Sequence, residues 1–284
     1  MTLDNNRDTL IVSLSDMHSG GTTALFPNYK MSFRQGKEGN AINHDPNESQ
    51  LKMFEHWIKC ADEVKRLAIG KKLVIVHNGD ATEGFHHGTV QVISSNPKHQ
   101  SEIHIELMDI FLERCGFSVK NGDELHYTSG TESHTEWNEY GVKEHYSHLN
   151  AQYHDEMQRN INGRLFWWTH HGANAGKGTN EGNGYRNWLR DIYWDCIKGE
   201  VTPPDFIITS HFHKSLYQTY VQSYDHTLHG MVLPSWQMKT RYAFRVAPFQ
   251  RNDIGLSIVE VSAQSDIRVH RPLLMQTYKE YLAA

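Results

Sequence analysis

Cysteine is scarce in this chain. Cys60, Cys115 and Cys196 are the only three in 284 residues. Their odd number, wide spacing and lack of any CxxC pair exclude a disulfide framework and predict free thiols in a reducing cytosol. Long apolar runs are missing too, which excludes a membrane-spanning helix. The opening stretch, MTLDNNRDTL, is polar and does not read as a secretory signal. A cytoplasmic location is therefore expected, with no membrane partner. No block of basic residues occurs, and the formal net charge is -5. That argues against tight, sequence-independent duplex binding through counterion release. It leaves room for a nucleotide or a nucleic acid end held mainly by metal ions. Repeats, low-complexity tracts and linkers are absent as well, so residues 1–284 read as a single domain.

What the chain has in quantity is histidine, with twenty residues. Imidazole is the commonest side-chain ligand for transition metals. Many of these histidines, including His44, His99, His104, His145 and His154, read as loop or surface residues. The informative ones stand where apolar runs end.

Those runs read as buried strands. TLIVSLSDMHSGG ends in Asp16, Met17 and His18; KKLVIVHNGDATEG ends in Asn78, Gly79 and Asp80. ELHYTSGTESHTE leads through Gly130 to His134, and GRLFWWTHHGANAG ends in His170 and His171. PPDFIITSHFHK ends in His211 and His213, while HGMVLPSWQ and DIGLSIVEVS add two strands without a ligand at the tip. Helical spacing marks the segments from Glu48 to Gly70 and from His99 to Gly116, each closed by a glycine. Two more helices are expected over 139–157 and 184–199. Residues 19–48 are aperiodic and read as a long loop insertion. Strands alternating with helices predict an α/β fold with largely parallel pairing.

Ligands gathered at the C-terminal tips of strands are where open α/β sheets build their sites. Mixed carboxylate and imidazole donors suit manganese, iron, zinc or nickel better than calcium. A pair of such cations about 3.5–4 Å apart, bridged by a carboxylate, suits in-line phosphoryl displacement.

The ordered series resembles the calcineurin-like metallophosphoesterase superfamily, whose motifs read DxH, GD, GNH(D/E), H and GHxH. Here Asp16-Met17-His18 matches the first and Gly79-Asp80 the second. Ser210-His211-Phe212-His213 matches the last, with serine for glycine, and the resemblance spans Leu10 to about Val261. It implies a four-layer αββα sandwich of two mixed β-sheets flanked by helices. It also implies two divalent cations, with manganese the first expectation and iron, zinc or nickel as alternatives. The first cation would take Asp16, His18, the bridging Asp80 and His213. The second would take Asp80, His211 and the histidine after the fourth strand. His170 and His171 compete for that last place, with His170 preferred as ligand and His171 facing substrate.

One motif departs from the family. Where GNH(D/E) is expected, the chain reads Gly130-Thr131-Glu132-Ser133-His134. The asparagine ligand is absent, and Thr131, Glu132 or Ser133 would have to stand in for it. His134 is the candidate general acid. Asn78 and Glu83 are expected beside the ligands. His86, His87, Arg186 and Arg190 are candidate substrate contacts, although each also reads as a surface residue. The activity implied is phosphoester hydrolysis, first of a phosphodiester in a nucleotide or nucleic acid. The alternatives are a phosphomonoesterase, including a protein phosphatase, and a metal-binding scaffold that has lost its acid.

Overall fold

The computed structural model describes residues 7–34, 41–84, 91–132, 138–223, 226–246 and 251–275. In chain order the first elements are β1 (Thr9–Leu14), β2 (Met31–Arg34), β3 (Ala41–His44), α1 (Glu48–Leu67) and β4 (Lys72–Asn78). They are followed by α2 (Pro97–Cys115), β5 (Glu124–Thr128), α3 (Asn138–His145), β6 (Gln152–His154), β7 (Met157–Ile161) and β8 (Arg164–Trp168). Next come α4 (Asn183–Lys198), β9 (Phe206–Thr209), β10 (Leu216–Ser223), β11 (His226–Val232) and α5 (Arg241–Val246). The last are β12 (Gly255–Val261), β13 (Ile267–Val269) and β14 (Leu273–Leu274).

Every residue of β1 is buried, because both of its faces meet an apolar layer. Successive side chains of a strand point to opposite faces. Leu10, Val12 and Leu14 accordingly join one core cluster and Ile11 another. In β4, Leu73 and Ile75 join the first cluster while Val74 and Val76 join the second. Near-continuous apolar runs of this kind belong to parallel strands covered on both sides.

These strands form the first sheet, in the order β13-β12-β1-β4-β5-β6, with β14 against β12. Its centre, β1 to β6, is parallel, and β12 runs antiparallel to β1. The second sheet has the order β10-β11-β9-β8-β7. Its three central strands are parallel and its two outer strands antiparallel. Phe166, Trp168, Phe206 and Ile208 of the second sheet pack against Ile11, Val74, Val76 and Val259 of the first. Helices α1 and α2 cover the outer face of the first sheet through Trp57, Val64, Leu107 and Phe111. Helix α4 covers the second through Tyr185 and Leu189. The four layers are therefore helix, sheet, sheet, helix, with mixed sheets, as expected.

Caps fix where the helices start and stop. Asn47 and Gln50 form a reciprocal capping box at the start of α1. Asn96 caps α2, Pro97 opens it, and Gly116 closes it in a left-handed conformation.

Several expectations need correction. Helix α1 ends at Leu67 with Ala68 as its cap, and Gly70 is left-handed in the turn beyond. The supposed loop over 19–48 holds the hairpin β2–β3. The helix expected over 139–157 stops at His145. A short turn ending at the left-handed Asn150 then redirects the chain into β6, which pairs with β5. His99 and His104 are buried on α2 rather than exposed, and His104 Nε2 lies 3.2 Å from the Tyr127 hydroxyl. The cysteines are free thiols. No helix among the described residues is long and apolar enough to cross a membrane.

Trp168 ties the two sheets together. It is fully buried between them, and its indole Nε1–H donates to Ser13 Oγ of β1 at 3.1 Å. Trp168→Ala should destabilise the chain by about 3–5 kcal/mol through loss of buried contacts. Trp168→Phe keeps most of the packing and should lose about 1 kcal/mol with the hydrogen bond. Urea denaturation measures both; equal losses for the two variants would contradict the packing argument.

Candidate metal centre

The site is built where both sheets run past their last regular strand residues. Beyond β1 and β4 the backbones keep pairing. Asp16 N–H donates to the Gly79 carbonyl, His18 N–H to that of Asp80 and Ser19 N–H to that of Ala81, each at 3.0 Å. Beyond β8 and β9 the second sheet does the same. Thr169 N–H donates to the Ile208 carbonyl at 3.1 Å, and Ser210 N–H to that of His170 at 3.0 Å.

Asn78 joins the two extensions. Its Nδ2 donates to the Thr169 carbonyl at 3.0 Å and to Ser210 Oγ at 2.5 Å. Its Oδ1 accepts from Thr128 Oγ1 at 2.9 Å. Its carbonyl accepts from Ser210 Oγ at 2.9 Å and from His170 Nδ1 at 2.8 Å. Side-chain and main-chain groups of one residue thus lock β4, β5, β8 and β9 at the same end.

The chain then turns sharply at the functional positions. Asp16, His18, Asp80, His211 and His213 all have positive φ, between 45° and 72°. Residues with a Cβ adopt this conformation at a cost on the order of 1 kcal/mol or more each, and such outliers gather at functional sites. The strands end here because left-handed residues cannot continue them. His211 and His213, two residues apart, therefore do not share one strand face. Strand β9 stops at Thr209, and the turn sends the two rings apart. The His213 ring meets that of His18 at 5.1 Å, and the His211 ring meets that of His171 at 4.7 Å.

Two glycines make room. A Cβ on Gly79 would lie 2.4 Å from His170 Nδ1, and one on Gly130 would lie 2.3 Å from the Asp80 amide nitrogen.

Asp16 and Asp80 sit at the centre, 0% and 1% exposed. Asp16 Oδ2 accepts from Ser15 Oγ at 2.7 Å and from the His211 N–H at 3.2 Å. Among the described residues its Oδ1 has no aligned hydrogen-bond donor; it faces His213 Nε2 at 3.3 Å, His18 Nε2 at 3.9 Å and His170 Nε2 at 4.0 Å. Asp80 Oδ1 accepts from the Thr131 N–H at 2.7 Å. Asp80 Oδ2 lies between two rings, 3.1 Å from His170 Nε2 and 3.8 Å from His18 Nε2.

Burial by itself would raise the Asp16 carboxyl, but the close approach and charge of His213, with the charge of His170, hold it well below the usual carboxylate range. The histidines respond in kind. Burial lowers His18, yet Glu83, Asp80 and Asp16 outweigh it and push it up to about 9. Burial likewise opposes His170, and the carboxylates, Asp80 foremost, raise it to about 10. Burial and the neighbouring His170 lower His211 to about 4.

Donor atoms of Asp16, His18 and His213 lie within 4.8 Å of one another, as do those of Asp16, Asp80 and His170, and those of His170, His171 and His211. The rings are aimed by their other nitrogens. His170 Nδ1 is held by the Asn78 carbonyl, so Nε2 is left toward Asp80; among the described residues this buried Nε2 has no aligned hydrogen-bond partner. His18 Nδ1 faces Glu83 Oε2 at 3.3 Å, and Gln237 Nε2 donates to that same oxygen at 2.5 Å. The Asn252 side-chain amide lies 3.3 Å from His213 Nδ1. Such outer partners fix ring orientation and tautomer in metal sites. Orphaned buried atoms on Asp16 and His170, with imidazoles aimed inward, fit a pair of divalent cations.

The remaining candidates fall elsewhere. Glu132 is exposed. Among the described residues of that motif, Thr131 is in reach of the centre, its Oγ1 3.4 Å from Asp80 Oδ2 and 3.3 Å from His211 Nδ1. His171 is exposed beside His170 and His211. Arg186 and Arg190 lie on the exposed side of α4, where Arg190 binds Asp191 at 3.0 Å. His86, His87, Ser133 and His134 lie outside the described residues. Gln237 and Asn252 were missed. Gln237 follows the strand β11 in PSWQ, at the same end of the sheet as the ligands, whereas Asn252 carries no local signal.

No family model matches the chain, and no curated protein does. Among solved structures, an archaeal phosphodiesterase is 12% identical, with 94% of this chain and 99% of that one covered and a TM-score of 0.42. The NAD nucleotidase of Haemophilus influenzae is 11% identical over 93% of this chain, at a TM-score of 0.42. This chain spans 49% of the nucleotidase's length. A predicted phosphoesterase from Streptococcus pneumoniae is 10% identical, with 90% and 84% covered and a TM-score of 0.33.

The raised histidines set a sign for stability against pH. A group that binds its proton more tightly when folded stabilises fully below its unfolded value, and that contribution fades as pH rises through the folded value. For His18 and His170 the window runs from the ordinary 6.5 up to about 9 and about 10. The metal-free chain should therefore melt at progressively lower temperature across that window. Divalent cations displace these protons and should flatten the trend. Thermal melts with and without Mn²⁺ at several pH values measure this; a metal-free melting temperature that rises with pH would contradict it.

Proposed function

We propose that the chain is a dinuclear metallophosphoesterase of the calcineurin-like type that hydrolyses phosphodiesters, with nucleotides or nucleic acid ends as its substrate class. One observation carries the reading: two fully buried carboxylates face each other's histidines, with one oxygen of each and the ring nitrogens directed at common points. Two carboxylates buried this closely need compensating positive charge. In this reading Asp16, His18, Asp80 and His213 would hold the first cation. Asp80 would be shared, and His170 and His211 would hold the second. Manganese is the first choice, given donors that mix carboxylate with imidazole.

Bound cations would supply Lewis acidity that activates water and neutralises charge on the phosphoryl oxygens. The chain's own residues do the rest. The Asn78 carbonyl keeps the His170 proton on Nδ1 and so keeps Nε2 available. Glu83, with Gln237 behind it, does the same for His18. The Thr131 N–H fixes Asp80 Oδ1 and turns Oδ2 toward the shared position. His134 is proposed to protonate the leaving oxygen on the strength of its place in the sequence. The acidic net charge of -5 and the absence of a basic block favour a nucleotide or strand end over long duplex.

Rates on bis-p-nitrophenyl phosphate and p-nitrophenyl phosphate with added Mn²⁺ test the reading. Faster turnover of the diester is expected; preference for the monoester would make the chain a phosphomonoesterase, and no turnover of either would make it a binding scaffold. Asp80→Asn should abolish activity and remove at least one metal per chain by elemental analysis, with the fold intact. Full activity with both metals retained would refute the bridging role.

A second variant tests the acid. General acid catalysis typically contributes about 10²–10⁴-fold. His134→Gln should slow alkyl or nucleoside phosphodiesters by that order and p-nitrophenyl esters much less, because nitrophenolate leaves without a proton. Metal content should stay the same. Equal slowing on both leaving groups with loss of metal would make His134 a ligand instead.

A further inference from the structure

The second cation position lacks the asparagine that the resembled family provides. The corresponding segment reads Gly130-Thr131-Glu132; Thr131 gives its N–H to Asp80, and Glu132 is exposed. An imidazole stands close by. Donor atoms of His170, His171 and His211 lie within 4.8 Å of one another, and the rings are 4.9 Å apart for His170 and His171 and 4.7 Å apart for His171 and His211. Nitrogens bound to one cation at about 2.0–2.1 Å sit roughly 3–4 Å from each other. Small side-chain rotations would bring the three into that range.

The backbone holds His171 in this place. The ladder between the two strand extensions, from Thr169 to Ile208 and from Ser210 to His170, fixes the register of the two histidine segments. Gly172 then lies flat against Thr209, where a Cβ would come within 2.6 Å of the threonine methyl. This close approach holds the segment after His171 against the end of β9 and keeps His171 beside His211.

We infer that His171 is a third imidazole ligand of the second cation, filling the place of the absent asparagine, and that this makes the two cation positions chemically unequal. The inference rests on the dinuclear reading above. The first position has two carboxylates and two imidazoles, from Asp16, Asp80, His18 and His213. The second has Asp80 and three imidazoles. Carboxylate-rich sets suit manganese and magnesium, whereas imidazole suits zinc, nickel and other late transition metals. The second position should therefore prefer Co²⁺ or Zn²⁺ over Mn²⁺, and the first should discriminate less.

Calorimetric titration of the metal-free full-length chain with Co²⁺, followed also by visible absorption, tests this on three proteins: unaltered, His171→Ala and His170→Ala. His171 is exposed, so its replacement leaves the core intact, and circular dichroism checks that. The His171 variant should lose affinity at one of its Co²⁺ sites by at least the roughly 10–100-fold that loss of an outer-shell partner costs. The absorption of that site should change, and the other site should be unaffected. Two wild-type affinities and an unchanged spectrum in the His171 variant, with a raised KM for bis-p-nitrophenyl phosphate, would overturn the inference and place His171 against substrate. His170→Ala separates the two claims. If it weakens one site while His171→Ala does not, the dinuclear reading stands and the third ligand falls. If neither variant changes Co²⁺ binding, both fall.

Discussion

The structure turns on two carboxylates, Asp16 and Asp80, buried side by side. A buried charge is expensive unless it is paired and hydrogen-bonded, and each carboxylate raises the cost of ionising the other. The chain answers with hydrogen bonds to both groups. Ser15 and the His211 N–H serve Asp16, and the Thr131 N–H serves Asp80. The opposite oxygens face imidazoles. Without metal, protons on His18 and His170 balance the charge, which is why both are raised. With metal, cations would take over the same task. The same arrangement serves protonation and metal binding, and the competition between them couples metal affinity to pH.

The fold supplies this arrangement through backbone register. Parallel strands of both sheets end at one side, their ladders run on for a few residues, and left-handed turns at Asp16, His18, Asp80, His211 and His213 aim the side chains inward. Asn78 holds the two ladders together through five hydrogen bonds made by its side chain and carbonyl. Strain at the turns is tolerated because burial and register on both sides leave the chain no alternative path. Gly79 and Gly130 matter for the same reason, since any side chain there would push His170 or Asp80 out of line.

Much of this was legible in the sequence. Apolar runs ending in Asp or His gave the strand tips, and alternating helices gave the layers. The runs could be read because parallel strands buried on both faces are apolar throughout. Other features were not legible. The hairpin β2–β3 is short and half-exposed, so it carries little periodic signal. The stop at His145 depends on a turn through Asn150 and on pairing with β5, and neither is local. His104 looked like a surface histidine because the Tyr127 beside it is distant in sequence. Gln237 and Asn252 touch Glu83 and His213 only through the folding of the chain. Strand-tip residues that converge are readable in sequence, but the partners that aim them come from tertiary contacts.

Anomalous diffraction from crystals of the full chain grown with Mn²⁺ is the most direct test of the central claim. The account predicts two anomalous peaks about 3.5–4 Å apart, with Asp80 bridging them, His18 and His213 on one and His170 and His211 on the other. A single peak, or two peaks that do not share Asp80, would contradict it.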